Sequence, residues 1–260
     1  MIPMIEQHER MRYLSISLFL VFLLTAGIMA DGPVKTFGDL MTIQATGSRL
    51  LQDFTAIGTG GAMVNAALVA LIGLAVVYFS SVTLAGPTMA AIFTMLGFGF
   101  FGKTVLNCLP IMAGVWFSAR FARKSLGSYS LIAMFGTALG PLVTYLMFEL
   151  NYPLSLAIPL GIIGGFVAGA LLPALAGAML QLHQGYNLYN VGFTCGFLGL
   201  FSSSALRMVG KMDPITITWN THPHPTLLLI LPVASALLVI TGILDRNGNM
   251  RTLPSDTLQL

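Results

Sequence analysis

From Leu150 to Leu206 the chain carries no Asp, Glu, Lys or Arg. Roughly a quarter of the residues in a soluble domain are charged. Here 8% are charged and 56% are hydrophobic. Several apolar runs reach or approach the ~20 residues that cross a bilayer. The chain therefore reads as a polytopic membrane protein. In lipid the backbone must satisfy its own hydrogen bonds, and the alternating strands of a barrel are missing from this sequence. The expected fold is an all-α bundle of about eight membrane segments, each near the ~20-residue span length.

The runs fall at about 13–30, 57–79, 84–101, 104–119, 128–148, 154–181, 184–206 and 226–244. The N-terminal "ERMR" and the apolar run after it resemble a signal peptide. That run is long for the purpose, so an uncleaved first helix is expected. The segment 36–54 is too polar to span and is expected at the interface or capping the bundle. This organises the chain into an anchor helix (1–35), a membrane domain (36–210), and an outer loop, final helix and tail (211–260).

Two runs are short and interrupted. "LAGPTMAAIFTMLGFGFF" and "TVLNCLPIMAGVWFSA" are separated only by Gly102 and Lys103, and Pro110 breaks the second. Either both cross, or together they form a re-entrant hairpin. Irregular backbone at that depth survives only under protein cover or beside a wet cavity.

Orientation follows the basic residues. Arg10, Arg12, Arg120, Arg123, Lys124, Arg246 and Arg251 share one side, against Lys35, Arg49, Lys103, Arg207 and Lys211. The expected location is the cytoplasmic (inner) membrane, with both termini cytoplasmic. The basic residues form no stripe interleaved with aromatics, so nucleic acid is not an expected partner.

Against this background "LHQGYNLYNVGFTCG" stands out. If a helix starts near residue 184, Asn190 lies roughly 10 Å into it. His183, Tyr186, Asn187 and Asn190 then follow the i, i+3, i+4, i+7 pattern and share one face. Such a stripe should face the protein interior, either as interhelical hydrogen bonding or as a water-accessible site. Gly60 and Asn65 repeat the spacing of Gly185 and Asn190. On helices of opposite direction the two asparagines are expected to meet near the midplane, as half-sites do in inverted-repeat transporters. Lys103, at a glycine turn, either snorkels or attracts an anion. Asn107 either satisfies groups freed by Pro110 or lines the same path.

Glu149, at an end, is the one acid inside the proposed spans. No carboxylate pair, serine–histidine–acid set or metal-ligand spacing is present, so neither enzyme activity nor a metal or cofactor is expected. Cys108 and Cys195 lie in apolar runs and read as small core side chains, and His222 and His224 as loop residues. The leading expectation is a channel or facilitator for a small neutral or weakly charged polar solute. Its lining residues would be Asn65, Lys103, Asn107, His183, Tyr186, Asn187 and Asn190. The alternative is a membrane scaffold or assembly protein whose polar residues only join helices.

"GPTMAAIFTMLGFGFFGKTVLNCLPIMAGVW" and "LHQGYNLYNVGFTCG" together resemble an uncharacterised family of bacterial multi-pass membrane proteins, a domain of unknown function. The likeness covers about residues 40–210. Its longer members carry the unit twice and show a fuller "GGxGAxxxNxxL" where this chain has "GTGGAMVNAAL". That implies an architecture without a substrate, and a homodimer or higher oligomer supplying the second half. Gly161, Gly165 and Gly169, spaced by four, offer a face for such contact. "NCLPIMAG" and "GYNLYNVGFTCG" bear a fainter likeness to the broken pore helices of urea-transporter-type channels.

Overall fold

A computed structural model describes residues 7–47, 52–184, 186, 189–208 and 218–249. Asn187 and Gly185 lie outside the described residues. The described chain is α-helical throughout: α1 Gln7–Asp31, α2 Pro33–Gln44, α3 Thr59–Phe79, α4 Gly86–Phe98, α5 Val105–Phe121, α6 Leu126–Gly136, α7 Gly140–Phe148, α8 Leu154–His183, α9 Asn190–Met208 and α10 Ile230–Asn249. Short 3-10 turns precede α3 and α10 and join α6 to α7.

Five stretches are long and apolar enough to cross a membrane: Glu9–Asp31, Thr59–Phe79, Leu126–Phe148, Leu154–His183 and Pro225–Leu244. The two interrupted runs are different. α4 has 13 residues and α5 has 17, about 20 and 26 Å at 1.5 Å per residue. Neither covers the ~30 Å hydrocarbon layer.

Contacts set the direction of each helix. α1 and α3 are antiparallel, with Tyr13 edge-on to Tyr78 and Gly27 against Gly60. α4 doubles back along α3, bringing Met95 beside Gly73 and Gly99 beside Ala66. α6 and α7 run back along α5, with Gly136 near Ile111 and Gly140 against Asn107. One end of the bundle thus gathers the start of α1, the α3–α4 loop and the start of α6. There Glu9 accepts from the Leu84 amide at 2.7 Å and Arg12 donates to the Leu84 carbonyl at 3.1 Å. Gly127 sits against Ser80 and Val82. At the other end Asp31 accepts from the Gly60 amide at 2.7 Å, and Asn220 reaches Thr55.

Two expectations are corrected by this packing. The helix expected from residue 184 starts at Asn190, because Gln184 takes a left-handed conformation (φ 52°) that ends α8. His183, Tyr186 and Asn190 therefore border a turn and do not share a helix face. The segment expected at the interface or capping the bundle contains α2, which packs along the start of α3 and buries Thr36, Leu40 and Ile43. Gly161, Gly165 and Gly169 are used inside the chain: they meet Val143, Met147, Pro110 and Ile111 of α5 and α7. That face is not available to join two chains.

Candidate functional site

The turn between α4 and α5 is irregular backbone buried in the bundle. Phe98 closes α4, and its carbonyl accepts from the Phe101 and Lys103 amides at 3.0 and 2.9 Å. Gly102 makes the reversal at φ 81°, where a side chain would be strained. Thr104 then starts α5. Its hydroxyl accepts from the Asn107 amide at 3.2 Å, while Asn107 Oδ1 accepts from the Thr104 amide at 2.9 Å. This reciprocal cap satisfies two donors that the helix start leaves open.

Two buried asparagines hold the turn. Asn65, on α3, donates through Nδ2 to the carbonyls of Gly99 at 2.7 Å and Lys103 at 2.8 Å. Its Oδ1 accepts from Gln44 Nε2 at 2.8 Å, and Gln44 Oε1 accepts from the Leu106 amide at 3.1 Å. Asn107 donates to the Gly102 carbonyl at 2.8 Å and to Thr144 Oγ1, on α7, at 3.4 Å. The amides supply the partners that water would supply at the surface.

Lys103 is fully buried. Its Nζ donates to Thr137 Oγ1 at 2.9 Å, and that hydroxyl donates onward to the Met134 carbonyl at 2.6 Å. The ammonium also lies 5.2 Å from the centre of the Phe98 ring. Thr137 opens the 3-10 break between α6 and α7, at the centre of the Leu126–Phe148 stretch. The lysine head is thus halfway along a membrane-length segment. Cys108 and Cys195 lie within electrostatic reach of it. Their thiols donate weakly to Asn107 Oδ1 and the Phe135 carbonyl, at 3.7 and 4.0 Å.

The remaining predicted residues are elsewhere. His183 Nε2 and Asn190 Oδ1 are 2.9 Å apart across the α8–α9 turn, and Asn190 Nδ2 donates to the Ala176 carbonyl at 3.1 Å. Both are partly exposed, and Tyr186 is 93% exposed. Asn65 and Asn107 thus meet the turn that carries Lys103, while His183 and Asn190 meet each other at the α8–α9 turn, and no hydrogen bond among the described residues joins Asn65 to Asn190. His224 caps the 3-10 turn before α10. Among the described residues no group of three His, Cys, Asp or Glu could hold a metal ion.

Sequence reasoning missed Gln44, Thr137 and Thr144 as members of the site. "GTALGP", with glycines on both sides and a proline lacking its N–H, was the available signal for a break at Thr137. A family described as proteins of unknown function, DUF1576, matches residues 33–208. No curated protein and no solved structure matches the chain.

Proposed function

We propose that this chain, which belongs to the DUF1576 family, is a membrane channel or facilitator for a small polar solute. The observation that carries the proposal is the buried lysine at a helix break, halfway along a membrane-length segment. Ionisable groups at such depth are expensive and are characteristic of solute pathways. α4 and α5 act as a re-entrant pair. They enter from the end that holds Arg120, Arg123 and Lys124, and turn at Lys103. That end is cytoplasmic by the positive-inside rule, and both termini lie there. Asn65, Lys103 and Asn107 form the central constriction, while His183 and Asn190 line its cytoplasmic approach. Asn65, Lys103 and Asn107 are all fully buried, which on this reading corresponds to a closed channel.

One observation favours the scaffold alternative. Both N–H groups of Asn65 are spent on the turn's own carbonyls, as helix-joining groups would be. Lys103 separates the two readings, because joining helices does not require an ammonium. The test is solute flux into proteoliposomes, followed by light scattering, with urea, glycerol and potassium formate, valinomycin carrying the balancing potassium. At least one should enter about tenfold faster than into protein-free liposomes, a barrier difference of about 1.4 kcal/mol. Equal rates for all three would leave the scaffold reading standing.

A further inference from the structure

We infer that the buried head of Lys103 is a binding site for a small monovalent anion, and that such an anion is the solute this protein passes. The inference rests on the channel reading above and adds the solute's charge class.

Donor accounting comes first. An ammonium has three N–H donors, and among the described residues Nζ has one hydrogen-bond acceptor, Thr137 Oγ1. That hydroxyl's proton is committed to the Met134 carbonyl. The adjacent Thr104 hydroxyl accepts from the Asn107 amide, and its own proton meets no acceptor among the described residues. Thr104 is also fully buried. The centre of the bundle therefore holds unspent donors on two neighbouring residues, and what completes them is a group rich in acceptors.

Charge points the same way. No carboxylate among the described residues pairs with Lys103; Asp31 and Asp39, for example, pair with Lys35 at one end of the bundle. A cationic solute would be repelled. A neutral solute could be bound by a glutamine at far smaller desolvation cost, so a neutral cargo leaves the lysine unexplained. One fixed positive charge matches one negative charge; a divalent anion would leave an excess in a medium of low dielectric. The face of the Phe98 ring, 5.2 Å from Nζ, helps to hold the ammonium without consuming its remaining N–H groups. Size is limited by packing. A methyl group on Gly140 would meet Asn107 Oδ1 at 2.5 Å, and one on Gly99 would meet the Ala66 backbone at 2.5 Å.

The test uses the full chain in liposomes, with potassium formate, potassium nitrate, potassium sulfate, urea and glycerol as probes and valinomycin present to carry the balancing potassium. Formate or nitrate should enter about tenfold faster than urea, glycerol or sulfate. K103Q should lose about tenfold of that anion flux, whereas K103R, which keeps the charge, should retain part of it. Urea or glycerol passing while neither monovalent anion does would overturn the inference and leave the channel standing. So would anion flux undiminished in K103Q. If no probe passes, the channel reading fails and takes the inference with it. Should K103Q fail to reconstitute, the selectivity of the unmodified protein decides by itself.

Discussion

Spacing pairs Asn65 with Asn190, yet their surroundings differ in depth and in what depends on them. Asn65 is sealed and serves three partners: two turn carbonyls and Gln44. Asn190 is partly exposed and its amide nitrogen serves the Ala176 carbonyl. Leucine at 65 leaves two buried carbonyls unmatched, at about 1–3 kcal/mol each before relaxation, and frees the half-buried Gln44 amide. Asn65→Leu should therefore unfold in detergent at a clearly lower temperature than Asn190→Leu, and the opposite order would contradict the assignment. The central residues are legible in the sequence because an amide or ammonium inside an apolar run has few reasons to be there. Thr137 and Thr144 are not legible, because a threonine hydroxyl in an apolar helix usually bonds back to its own preceding turn. Both do that here as well, so their contacts with Lys103 and Asn107 exist only in the tertiary structure.

Between elements, the tightest backbone packing joins α5 to α8. A Cβ on Gly114 would fall 2.0 Å from the Phe166 carbonyl oxygen, and one on Gly169 2.0 Å from that of Ile111. Backbone cannot yield as a side-chain tip can, so G114A or G169A must push the helices apart. Gly177, on the same α8, meets nothing within 4 Å. There alanine should be neutral or stabilise the helix by up to about 1 kcal/mol. Thermal unfolding of the three alanine variants checks this contrast: G114A and G169A should fall, by a few kcal/mol as overpacked sites do, while G177A should not. The four-residue spacing of Gly161, Gly165 and Gly169 is plain in the sequence, but spacing is silent about the partner, which is α5 and α7. Periodicity fails at 183–190 for a related reason. The pattern presumes an unbroken helix, and a single left-handed residue, Gln184, removes that premise.

At the scale of the molecule, charge and packing give one topology by separate routes. Counting spans along the sequence groups Arg10, Arg12, Arg120, Arg123 and Lys124. The contacts of Leu84 with Glu9 and Arg12, and of Gly127 with Ser80 and Val82, gather the same segments at one end of the bundle. The opposite end holds Asp53 with Asn220, bonded through the Asn220 amide at 3.1 Å. If the short pair α4–α5 enters and leaves by one face, the later segments keep the direction they would have after two full crossings. With α6–α7, α8 and α9 each crossing between them, exposed Ser128 and His222 lie on opposite sides of the membrane. Single cysteines at these positions test the arrangement, since the native Cys108 and Cys195 are both buried. In intact cells an impermeant maleimide should modify His222→Cys and spare Ser128→Cys until the membrane is opened. Labelling of both from outside would break the topology, because α6–α7, α8 and α9, the segments between the two positions, could then not each cross once.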